Sequence, residues 1–158
     1  MSKYGVTMKS ETEKIVSLFR RTFEKNAWHG PAVKEVLEGI TNEQALKRIG
    51  STHSIIELVA HMTSWRIFVT RKLQGDDNYK VTNELNFPET TDWPNVLREL
   101  EDSQEKLLEA IRSFPEEKLG DLVPHNEYRY TYYTLIHGII HHDLYHTGQL
   151  SLVKRAVL

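Results

Sequence analysis

No cysteine occurs among the 158 residues. That excludes disulfides, thiolate metal ligands and a cysteine nucleophile, and it is compatible with a reducing compartment. Nor is there an excess of charge of one sign: 20 Lys and Arg against 22 Asp and Glu leave a formal charge of -2. The chain has no basic footprint, so no nucleic-acid partner is expected. Long apolar runs are missing too. None approaches the ~20 residues of a membrane span, and the opening MSKYGVTMKSETEK lacks the apolar core of a secretory signal. The expectation is a cytoplasmic protein with no membrane partner. Without repeats, low-complexity tracts or obvious linkers, residues 1–158 read as a single domain able to bury one sizeable core.

What is present is helical periodicity. A first helix is expected over about residues 10–26, with Ile15, Leu18, Phe19 and Phe23 at i, i+3/i+4 spacing. Gly30-Pro31 punctuates the chain, and Pro31 suits the first position of a short helix carrying Val33, Val36 and Leu37, stopped by Gly39. Thr41 or Asn42 is a cap for a further short turn. Ser54-Ile-Ile-Glu57 matches a capping box and opens a second long helix that Gly75 would close. The following polar stretch, with Pro88, reads as a loop of about 15 residues, a length that is usually functional or mobile. A third long helix, about 92–113, carries Leu97, Leu100, Leu107, Leu108 and Ile111, and Phe114-Pro115 ends it. After the connection PEEKLGDLVPHNEYR, a fourth runs from about 131 to 157. Four long amphipathic segments predict an all-α protein, a four-helix bundle.

The last of these helices holds His137, His141, His142 and His146. Residues four apart on a helix share a face, so two pairs compete. At about 100° per residue, with His137 at zero, His142 and His146 fall near about 140° and about 180°. That is the side of Leu135, Ile139, Leu150 and Val153, the face turned to the core. His137 and His141 fall with Thr134, Gly148 and Arg155 on a more polar side. On the second helix, His61 shares the stripe of Leu58, Trp65 and Phe68, and the Trp65–Phe68 stripe itself reads as ordinary core. A single core-facing histidine is ordinarily a hydrogen-bonded structural residue. Three on core faces of two helices ask for a common explanation, because unpartnered buried imidazoles are costly. A divalent metal held by His61, His142 and His146, between the second and fourth long helices, supplies one, with a coordination position left open for chemistry. Neutral imidazoles suit zinc or nickel. Glu57, one turn before His61, and Gln149, near His146, are candidates to orient these ligands. His29, in Trp28-His29-Gly30-Pro31, is a candidate to line the pocket, and Tyr128 and Tyr145 are hydroxyls able to face a substrate.

These residues also carry a resemblance. His61 followed by Trp65, then HDLYHTGQ in the last helix, resembles the DinB family of bacterial four-helix-bundle proteins. The likeness extends through NAWHGPAVKEVLEGIT, STHSIIELVAHMTSW and HGIIHHDLYHTGQLSLVKRA, nearly the whole chain. It implies a metal bound by one histidine of the second helix and two of the last, at positions matching His61, His142 and His146. The wider superfamily includes bacillithiol-dependent S-transferases, a mycothiol-dependent maleylpyruvate isomerase and members described as metal-dependent hydrolases. The resemblance therefore implies a metal-dependent enzyme acting on a small-molecule substrate, with thiol transfer ahead of hydrolysis and a low-molecular-weight thiol such as bacillithiol as cosubstrate. The alternative is a non-catalytic bundle that binds a metal or small ligand. A protease is a poor reading, since no HExxH motif occurs. A homodimer is expected from the same resemblance and from the extra apolar surface of Ile136, Ile140 and Leu144.

Overall fold

The computed structural model describes residues 9–125 and 128–158. Residues 1–8, read above as lacking a signal core, and 126–127, in the connection before the last helix, lie outside the described residues. Everything described is helix or connection, apart from one isolated bridge between Leu122 and Thr131. The helices are α1 (Glu11–Phe23), α2 (Val33–Leu37), α3 (Asn42–Leu46), α4 (Ile55–Leu73), α5 (Asn83–Asn86), α6 (Trp93–Ser113) and α7 (Tyr132–Val157). None is long and apolar enough to cross a membrane.

Local chemistry sets most of the helix ends. The Ser54 hydroxyl and the Glu57 carboxylate reciprocate across the first turn of α4, so that two otherwise orphaned amides are satisfied. Thr41 does the same for α3 with Gln44, while Ser10, Asp92 and Thr131 cap α1, α6 and α7. At the far end of α4 the chain turns through Gly75 at φ +85°, a conformation that costs glycine little. Two boundaries differ from expectation. α1 stops at Phe23, and Asn26 then takes a positive φ of 61°, which a helix cannot contain. α2 begins at Val33, because Glu35 reaches back to the Ala32 amide and leaves Pro31 outside.

α4 packs against α6 and α7, and α1 packs against the same two. The stripe of α1 is Ile15, Val16, Phe19 and Phe23; Leu18, expected on it, is half exposed. Ile136 and Ile140 of α7 are buried inside the chain, so the surface that suggested a homodimer is largely taken up by the fold itself.

The apolar interior falls into two clusters. One joins the N-terminal half of α4, through Met62, to Leu150, Val153 and Val157 at the C-terminal end of α7. The other joins Val69 of α4 to Leu135, Ile136, Ile139 and Ile140 near the start of α7. α4 and α7 therefore run antiparallel. The stretch between Met62 and Val69 on one helix lies opposite the stretch between Ile140 and Leu150 on the other, and this break between the apolar clusters is where the polar side chains are placed.

Candidate metal centre

His61, next to Met62, reaches the edge of this break from α4, and His142 and His146 reach it from α7, one turn apart. Their ring nitrogens converge. His142 Nε2 lies 3.1 Å from His61 Nε2 and 3.1 Å from His146 Nε2, and one nitrogen of each ring falls within 4.8 Å of the others. No carboxylate joins the three imidazoles among the described residues.

The hydrogen bonds behind the rings decide what the converging nitrogens are. His61 Nδ1 donates to the backbone carbonyl of Asn86 at 2.8 Å, and His146 Nδ1 donates to Gln149 Oε1 at 2.6 Å. A carbonyl oxygen only accepts, so both protons sit on Nδ1 and both Nε2 atoms present lone pairs. His142 has one Nε2 and faces both. Even if it carries the proton there, it can donate to one neighbour only, and the other contact sets two lone pairs against each other at 3.1 Å. His142 Nδ1 is buried without a partner among the described residues. Burial holds all three imidazoles below their ordinary pKa and therefore neutral. His142, which also feels His146, His61 and Arg66, is pushed down to about 3. Three neutral nitrogen donors facing one point, two of them fixed as acceptors, form a set that a divalent cation satisfies. At metal–nitrogen bonds of about 2.1 Å, a separation of 3.1 Å subtends roughly 95°, an ordinary angle between metal ligands. The residues present fit the ion.

The connection between α4 and α6 overhangs this point, and it is not the structureless loop the sequence suggests. Thr82 caps the single turn of α5. Asn86 at its end serves two residues at once: its backbone carbonyl takes His61 Nδ1–H, and its side-chain oxygen takes Trp65 Nε1–H at 3.0 Å. Phe87 is stacked between His61 and His53, with ring centroids 4.3 and 4.0 Å away. Trp65 and Phe68 are not interior core. They are half-buried, pack against the second apolar cluster and wall a cleft of about 250 Å³ that His142 also lines.

Of the candidates to support the ligands, Gln149 contacts the cluster. Its amide nitrogen donates to the Tyr145 hydroxyl, which fixes the orientation of the oxygen toward His146. Glu57 does not reach His61. Its carboxylate is taken up by the Ser54 amide and hydroxyl and by Arg48. Burial pushes that carboxyl up, but these donors outweigh it and leave the pKa below its ordinary value. His29 is exposed in the turn after α1 and does not join the cluster, and Tyr128 is also exposed. His141 is exposed, while His137 donates from Nδ1 to the Tyr133 carbonyl.

The residues not anticipated are Asn86, Phe87 and an ion pair. Arg66, five positions after His61, and Asp143, adjacent to His142, have no exposed surface and meet at 2.7 Å. The guanidinium also lies over the ring of Phe23. Burial raises the Asp143 carboxyl to about 6 despite the pull of Arg66. The pair ties α4 to α7 beside the histidines.

Residues 27–150 match the family model of the DinB superfamily. No curated protein and no solved structure matches the chain.

Proposed function

The chain belongs to the DinB superfamily, and from that premise we propose a bundle of DinB type in which His61, His142 and His146 hold a divalent ion, zinc or nickel, in a metal-dependent enzyme acting on a small molecule. The observation that carries the reading is the pair of acceptor-locked rings: Asn86 and Gln149 fix protons on Nδ1 and aim two Nε2 lone pairs at a third imidazole. A bound ion would supply a positive centre that lowers the proton affinity of a thiol or a water brought to it. Thiol-dependent S-transfer is the preferred reaction class. Three uncharged ligands leave the full charge of the ion to stabilise a thiolate. Among the described residues no carboxylate joins the cluster, and the neighbouring Asp143 is held by Arg66 rather than free to act as the base that hydrolysis by activated water commonly uses. Phe87 and Trp65 exclude water from one side of His61.

Purified protein is expected to carry roughly one zinc or nickel ion per chain, and the loaded protein to consume a low-molecular-weight thiol in the presence of an electrophile. Metal analysis after gel filtration and a thiol-loss assay check the two parts. A metal-free protein would overturn the site, whereas a loaded protein that hydrolyses esters without consuming thiol would overturn the reaction class alone.

Gln149 gives a finer test. Gln149→Ala removes the acceptor that holds His146 in its tautomer, and ligand-orienting partners of this kind typically contribute about 10–100-fold in metal affinity. Competition against a fluorescent chelator should show a loss in that range. Unchanged affinity would mean that His146 is oriented by its packing and not by the amide.

A further inference from the structure

The cleft that His142 helps to line lies between α4 and α7. Its walls are Trp65 and Phe68 from α4 and Leu135 and Ile139 from α7, and no charged side chain lines it. Trp65 and Phe68 meet edge to face at 5.3 Å, and the Trp65 and His142 rings are 6.0 Å apart, so an aromatic wall continues up to the imidazole. Gly138, one turn before His142, supplies the space. A Cβ built there meets nothing within 4 Å, and the residue lies in regular helix without a positive φ. A glycine at that point of a helix costs stability relative to alanine, and here it leaves the wall open.

We infer that this cleft receives the apolar part of the substrate: a neutral, ring-sized group carrying one polar or metal-binding end that reaches His142. The inference rests on the metal reading above and assigns the substrate class. Volume sets the size. A cavity of about 150 Å³ accommodates benzene, and sites for drug-sized ligands begin near about 300 Å³, so about 250 Å³ admits a single ring with a short substituent. The lining sets the polarity. Besides His142, the polar side chains that line it are those of Tyr130 and Thr134, too few for a polyhydroxylated thiol, most of whose hydroxyls would face Trp65, Phe68 and Ile139 without partners, which is costly. Within S-transfer, the electrophile therefore occupies the cleft and the thiol enters from elsewhere. A larger surface cleft, about 800 Å³ between α2 and α6, contains none of the three histidines and is edged by Lys34, Glu35, Glu38 and Glu101.

The test compares acetohydroxamate and benzohydroxamate as metal-binding probes that differ by one ring, using zinc-loaded wild type, Gly138→Ala and Gly138→Leu. Burying a ring should favour benzohydroxamate by about 10-fold or more in wild type. Gly138→Leu should remove that preference while acetohydroxamate binds within about twofold of wild type. Gly138→Ala, which adds one methyl to open space, controls for folding. Equal affinity for the two probes in wild type, or a ring preference that survives Gly138→Leu, would overturn the inference. If wild type takes up no zinc, the metal reading fails and the cleft is judged separately. Toluene added to metal-free protein should then shift the Trp65 indole and Gly138 amide resonances in wild type and not in Gly138→Leu, and the absence of any shift in wild type overturns the cleft.

Discussion

His142→Ala is expected to strip the purified protein of its ion, taking metal content from roughly one per chain to below about a tenth, because metal affinity rests on the full ligand set. His142 is the central member: its Nε2 is the atom that both other imidazoles approach at 3.1 Å. Without it, His61 and His146 remain as two neutral donors, and among the described residues no carboxylate joins them. His146→Ala and His61→Ala should behave alike. His137→Ala and His141→Ala should keep the metal, although they have the same spacing as His142 and His146, since His137 bonds the Tyr133 carbonyl and His141 faces solvent. The chain should stay helical throughout, as the two apolar clusters lie above and below the histidines and do not include them. Elemental analysis with circular dichroism reads both properties. Equal metal loss from all five substitutions would sink the assignment.

The second large effect is on stability. Asp143→Leu should cost about 3–5 kcal/mol, because it leaves the Arg66 guanidinium charged, fully buried and unpaired. Adding Arg66→Met should recover most of that loss, since replacing a buried ion pair by apolar residues of similar volume is often neutral or stabilising. The pair is poorly satisfied even when intact. One bond joins Nη2 to Oδ2, while Arg66 Nε and Nη1 and Asp143 Oδ1 have no partner among the described residues. Denaturant unfolding of the two single variants and the double variant completes the cycle. A double variant as unstable as the worse single one would show that the pair contributes beyond mutual neutralisation.

Much of this architecture was legible because its signals are local. The Ser54–Glu57 capping box and the Gly75 turn each act within a few residues, so both ends of α4 could be read directly, and a cap at Thr41 or Asn42 placed the start of α3 to within a residue. Helix phase likewise separated the pair that meets His61 from the pair that does not, because an unbroken helix of 26 residues carries phase along its length. It failed at Leu18, where two adjacent faces of α1 were both apolar and Val16 was the one buried.

Long-range features were not legible. α5 is a single turn, too short for any periodicity, and nothing local says that Asn86 will meet His61 and Trp65 from 25 and 21 positions away. Arg66 and Asp143 belong to residue types that rarely lose all solvent, so each alone reads as surface. Trp65 and Phe68 were assigned to the core because an apolar stripe looks the same whether it meets another helix or an open cleft. Gly138 was silent for a related reason: a missing side chain gives no sign of what the vacant space is for.

The ligands also differ in when they can meet during synthesis. His61 and its anchor at Asn86 are 25 positions apart, whereas His61 and His142 are 81 positions apart. Closing the longer loop costs only about 1 kcal/mol more in chain entropy, so equilibrium scarcely distinguishes them. Order of emergence does. A growing chain contains both His61 and Asn86, the acceptor that sets its tautomer, once the first ninety or so residues have left the ribosome. The two partner imidazoles arrive together, on one helix, after more than fifty further residues have been added. Until then the nascent protein holds only one of the three donors, too few to grip a divalent ion tightly, and the full ligand set comes together only when α7 docks.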